Sequence, residues 1–179
     1  MVNSGGTLGG TGFINAGSNN IAIGVDTVMM STGNGGRITG ATAGTVGALT
    51  MTASNVIFGG VSGDLGTYLV DLTASAGDRL VITGNLDLSS AFDQISFQGT
   101  TGLASYQLIT YSGLLSGTFD TVSSLPSGYS LVYGVNEIDL VAVPETSTWV
   151  MGALVLGALF VSQRKRLLLR ARSASPFAS

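Results

Sequence analysis

The sequence predicts a mainly β protein whose chain ends in one transmembrane-type α-helix. Three observations predict it. Glycine supplies 27 of the 179 residues, and 17 of these fall within residues 1–66, between short apolar stretches. Further on, apolar and polar side chains alternate with period two, which gives a strand one buried and one wet face. Finally, 18 residues without charge separate Glu145 from Arg164, long enough for one helix across a bilayer.

Residues 1–66 form a Gly-rich β region. Ile21-Ala22-Ile23 and Thr45–Thr52 are short strand-forming stretches, and Asn34-Gly35 and Gly59-Gly60 mark turns. No window carries the i, i+3, i+4, i+7 apolar stripe of a helix. The opening run Gly5-Gly6-Thr7-Leu8-Gly9-Gly10-Thr11-Gly12 resembles the autotransporter-associated β-strand repeat. That resemblance implies a parallel β-helix or solenoid-like body, in which each turn buries its apolar face against its neighbours. Met1–Asn20 has neither the basic start nor the apolar core of a secretory leader. The region therefore reads as a truncated repeat array whose leader lies upstream.

Residues 67–142 read as a β cap region. Tyr68–Leu72, Leu80–Thr83, Tyr106–Tyr111 and Tyr129–Tyr133 are strand-forming, and Leu86/Leu88, Ile95/Phe97 and Ile138/Leu140/Ala142 alternate with polar residues. Asn85, Gly99, Gly113, Gly117, Pro126 and Gly128 punctuate them, and Tyr133–Glu137 suits a hairpin loop. A β-helix exposes edge strands at its end, and a hairpin-rich cap would cover them.

Residues 143–166 have three parts: a polar hinge from Val143 to Thr148, an apolar run led by Trp149 through Leu154, Leu156, Leu159 and Phe160, and the cluster Arg164-Lys165-Arg166. Tryptophan suits the headgroup level and clustered arginine and lysine suit the cytoplasmic side. The whole resembles the PEP-CTERM sorting signal of exported proteins in Gram-negative bacteria, with Val143, Pro144 and Glu145 in place and Thr146 where the family has its second proline. The chain also runs on past the basic cluster. The resemblance implies membrane lipid and an exosortase-type processing protease as partners, with cleavage near Pro144-Glu145. The same signal occurs on some ice-binding proteins. Residues 167–179 read as a basic, flexible tail.

Composition excludes much chemistry. With no histidine and no cysteine, neither a Ser-His-Asp nor a Cys-His arrangement exists, and the single lysine, Lys165, lies in the tail. Residues 1–163 carry a net charge of −8 and residues 164–179 one of +5, so the acidic body argues against nucleic acid as partner. Asp64, Asp71, Asp78, Asp87 and Asp93 are the candidates for a glycoside-hydrolysing carboxylate pair, but solvated or turn carboxylates are the better reading. Calcium at Gly63-Asp64 is disfavoured, because the nonapeptide pattern lacks its third glycine and does not recur. Thr50-Met51-Thr52 is a lone Thr-x-Thr and reads as ordinary strand propensity.

The expectation is a non-enzymatic, cofactor-free protein with no catalytic or metal site. It would be tethered to the inner membrane during export and then act at the cell surface as a structural or adhesive component. A polysaccharide- or ice-binding module is the alternative, and a polysaccharide-cleaving enzyme comes behind it.

Overall fold

The computed structural model describes residues 5–24, 35–60 and 62–144. They form a parallel β-solenoid of about four turns, and no helix occurs among them. The first turn supplies β1 (Thr7–Leu8), β2 (Phe13–Asn15) and β3 (Ile21–Ile23). The second supplies β4 (Arg37–Thr39) and β5 (Ala48–Phe58), and the third β6 (Gly66–Leu72) and β7 (Arg79–Leu88). The fourth supplies β8 (Asp93–Gly99), β9 (Ser105–Tyr111) and β10 (Leu115–Gly117). Then come β11 (Thr121–Ser123), β12 (Tyr129–Tyr133) and β13 (Glu137–Ala142).

Two sheets wind through these turns. One is fully parallel, in the order β1-β4-β6-β8-β11. The other runs β12-β13-β9-β7-β5-β2 and is bent, because β5 and β7 are each long enough to serve two stretches. The N-terminal half of β5 pairs with β2 and its C-terminal half with β3, while β7 likewise pairs with β9 and then β10. Sequence reading places Asn85 at a break between two strands. It instead sits inside β7 at the bend. There Ala53 and Ser54 of β5 stand opposite Gly84 alone, and the register shifts before Asn55 meets Asn85. Gly84 has φ of 139°, and a Cβ on it would collide with the carbonyl oxygen of Ala53, so this corner requires glycine.

The interior follows from period two. Side chains at the same position of successive turns stack: Ile38, Tyr68 and Ile95 in one sheet, Leu49, Leu80 and Ile109 in the other, with Met51, Ile82 and Tyr111 beside them. All are buried, and each apolar side chain so buried contributes about 1.5–3 kcal/mol before entropy is counted. Apolar residues at alternate positions thus form columns along the solenoid axis.

At the C-terminal end the chain reverses. β12 and β13 form an antiparallel hairpin closed by Gly134 N–H donating to Glu137 O at 2.8 Å, and β13 runs antiparallel to β9. All five tyrosines use their hydroxyls to fasten backbone in this half of the fold. Tyr68 donates to Leu108 O, Tyr106 to Thr73 O, Tyr111 to Gly134 O and Tyr129 to Leu103 O, and Tyr133 accepts from Phe119 N–H. Phe119 itself packs edge-on against Phe58 at 5.8 Å between ring centroids.

Candidate functional site

Three features could carry function: the point where the chain leaves the fold, the outward face of the bent sheet, and the carboxylates at the corners.

The exit point is well defined. The last ladder bond of β13 runs from Ala142 N–H to Ala104 O at 2.8 Å. Val143 follows with half its surface exposed, and Pro144 is exposed too. The compact unit that holds the described strands ends at Ala142. Of the residues that the resemblance to a sorting signal singles out, only Val143 and Pro144 are described. Glu145, Thr146, Trp149, Leu154, Leu156, Leu159, Phe160, Arg164, Lys165 and Arg166 lie outside the described residues. Among the described residues no helix is long and apolar enough to cross a membrane.

The outward face of the bent sheet is built by register. Phe13, Thr50, Val81 and Thr110 stand in one row across four strands, and Asn15, Thr52 and Thr83 in the next. Parallel strands lie about 4.8 Å apart, so the rows repeat at that interval. All seven side chains are exposed or half-buried. Thr50-Met51-Thr52 is therefore not isolated in space: Met51 points into the core, and its two threonines join a two-dimensional array with Thr83 and Thr110. A third row is hydrogen-bonded side chain to side chain, Arg79 to Gln107 at 3.0 Å and Gln107 to Glu137 at 2.8 Å.

The carboxylates correct the sequence reading. Asp64, Asp71, Asp78 and Asp93 were expected to be solvated or to cap their own turns, yet all four are buried. Only Asp87 behaves as expected, capping the turn at Ser89 from a half-exposed position. Asp78 is fully enclosed because the loop of residues 40–47 folds over it. Its Oδ2 accepts from Thr39 Oγ1 at 2.7 Å and from Gly40 and Asp71 N–H at 3.2 Å, and its Oδ1 accepts from Gly47 N–H at 2.8 Å. Burial pushes this carboxyl above the usual range, opposed by the bonds from Thr39, Gly47 and Asp71. Neighbouring Asp71 accepts from Gly44 N–H at 2.9 Å and from the Gln98 amide. These oxygens are taken up by protein donors, among them the backbone N–H groups of Gly40, Gly44 and Gly47, so the pair clasps a loop.

Asp93 occupies the opposite situation. Its Oδ1 accepts Asp120 N–H at 2.6 Å, but its buried Oδ2 has no partner. Burial, with Asp120 and Asp87 close by, raises its pKa to about 6. Asp64 Oδ1 and Asp139 Oδ1 are also buried without partners, and burial followed by Glu137 raises Asp139. No group of three or more carboxylates among the described residues is arranged to hold a metal ion.

Sequence reading missed the polar ladders. Asn55 Nδ2 donates to Asn20 at 2.9 Å, Asn85 Nδ2 to Asn55 at 3.0 Å, and Leu114 N–H to Asn85 Oδ1 at 2.8 Å, so one amide column runs up the bend. Thr67, Gln94 and Ser123 form another on the parallel sheet. The signal was present: partners recur 27 to 35 residues apart, one turn each. Short-window periodicity cannot register that interval.

Compared with known proteins, the chain matches no family model, no curated protein and no solved structure.

Proposed function

We propose that the chain is a non-enzymatic, exported cell-envelope protein of a Gram-negative bacterium, structural or adhesive in role, sorted by the PEP-CTERM-like signal at residues 143–166. One observation carries the reading. The last strand closes at Ala142, and the Pro-Glu motif begins in exposed chain immediately afterwards. A protease acting at Pro144-Glu145 would leave every described strand whole. The apolar run headed by Trp149 and the stop at Arg164-Lys165-Arg166 supply the transient tether to membrane lipid. The body left behind is acidic and glycine-rich, which suits a stalk or matrix component.

The test fuses residues 143–179 to a soluble exported reporter in a host with and without an exosortase. The expected result is a membrane-bound reporter without the protease and a shortened, released one with it. A reporter that stays soluble and full-length in both hosts overturns the reading.

A second reading, a polysaccharide- or ice-binding module, draws support from the outward array of Thr50, Thr52, Thr83 and Thr110. Glycan-array and ice-recrystallisation assays on wild type and a Thr52→Lys/Thr83→Lys variant test it. Activity present in wild type and lost in the variant establishes this face as the binding surface, and silence in both assays removes the reading.

A further inference from the structure

Two successive corners, before β8 and before β11, are joined by a device that the sorting and binding readings leave unused. Asp93 and Asp120 grip each other across adjacent turns. Asp120 N–H donates to Asp93 Oδ1 at 2.6 Å, and Asp120 Oδ2 accepts from Phe92 N–H at 2.9 Å. Phe92 has φ of 65°, in the left-handed region that a bulky side chain rarely adopts. The grip therefore pins a strained residue as well as joining two turns. It does so with two neighbouring carboxyl groups, each accepting from a backbone N–H, and neither bonds a cation among the described residues. Asp87 in β7 adds a third negative charge, and Tyr133 in β12 is the remaining titratable group that feels Asp93. The only cations among the described residues are Arg37 and Arg79, and Arg79 is engaged with Gln107. Asp93 Oδ2 is buried and finds no donor.

We propose that Asp93 and Asp120 form a proton-operated latch that fastens the segment from β10 to β11, Leu115–Ser123, more tightly in mildly acidic surroundings than in alkaline ones. With both groups ionised, the hydrogen bonds are made against mutual repulsion and an undersolvated charge. Protonation of Asp93 removes both penalties and keeps Oδ1 available to Asp120 N–H. The sign follows from linkage. The closed latch binds a proton with a midpoint of about 6 and the open one near the ordinary value of 3.8, so closure gains stability as pH falls and loses it as pH rises through 6. For one proton with these midpoints, closure strengthens by up to about tenfold between pH 8 and pH 5.

The experiment uses the full chain in detergent micelles. It measures hydrogen exchange at the Phe92 and Asp120 amides between pH 5 and 8, corrected for intrinsic rates, together with a carbon-detected titration of the Asp93 carboxyl. Protection rising up to about tenfold toward pH 5 is expected in wild type. Asp93→Asn mimics the protonated form and should hold that protection flat. A wild-type slope retained in Asp93→Asn, or an Asp93 midpoint below 5, overturns the latch. Should Asp93→Asn fail to fold, Asp120→Asn decides. Removing that charge should lower the Asp93 midpoint, and an unchanged midpoint again overturns the proposal.

Discussion

Asp78 and Asp93 are both fully buried aspartates at corners of the same solenoid, yet they meet opposite fates. Asp78 receives four donors from three separate segments: Thr39 and Gly40, Gly47, and Asp71. Asp93 receives one, and its second oxygen receives none. The difference is the loop. Residues 40–47 bring backbone N–H groups down onto Asp78, whereas the short segment between β10 and β11 brings Asp120, another carboxylate. Burial alone does not decide what an acid does in a β-solenoid. The donors that neighbouring segments deliver decide it, making one corner a fully bonded staple and leaving the other half-bonded.

The comparison breaks most visibly at Asp78. Asp78→Ala strands four donors beneath the loop, and unsatisfied buried donors are costly, so chemical denaturation should show a loss of about 3–4 kcal/mol. Asp78→Asn keeps the shape but turns an amide N–H toward a donor, Gly47 N–H if the remaining oxygen keeps the other three. A loss of about 1–2 kcal/mol is expected. Asp93→Asn should run the other way, raising thermal stability at pH 8 relative to wild type and leaving it little changed at pH 5. Equal losses in the two asparagine variants would erase the distinction between the corners.

Smaller effects sharpen the same point on the outside of the sheets. Asn55→Ala cuts the amide column between Asn20 and Asn85 in its middle, where water partly replaces the lost bonds, and should cost about 1 kcal/mol by the same denaturation. Thr52→Val, on the outward face, should change stability by less than about 0.5 kcal/mol, because nothing among the described residues bonds to its hydroxyl. If Thr52→Val proved as costly as Asn55→Ala, the outer threonines would be structural, and the binding reading of that face would weaken.

Parts of β7, β8 and β13 were legible because their apolar residues alternate, whereas β10 and β11, three residues each, were not read as strands. Leu86 and Leu88, Ile95 and Phe97, and Ile138 and Leu140 all point inward as period two requires. The hairpin at Tyr133–Glu137 was legible from its turn residues. Parallel stacking came from the resemblance carried by Gly5–Gly12, and the solenoid agrees with it. What stayed hidden depends on partners a full turn away. Asn85 looks like a strand breaker in its local window, and only Asn55, 30 residues earlier, explains it. Asp78 looks like a turn cap until Gly47, 31 residues earlier, is placed above it. The exposure of Val143 at the chain exit had to come from the fold.

The position of β13 has a mechanical consequence. The strand from which the chain departs is not at the border of its sheet but lies between β12 and β9, zipped to both. Tension applied through Val143 along the strand would load two ladders in shear at once, so that many bonds must yield together and not one after another. A body hung from that end would resist pulling far better than one suspended from a border strand.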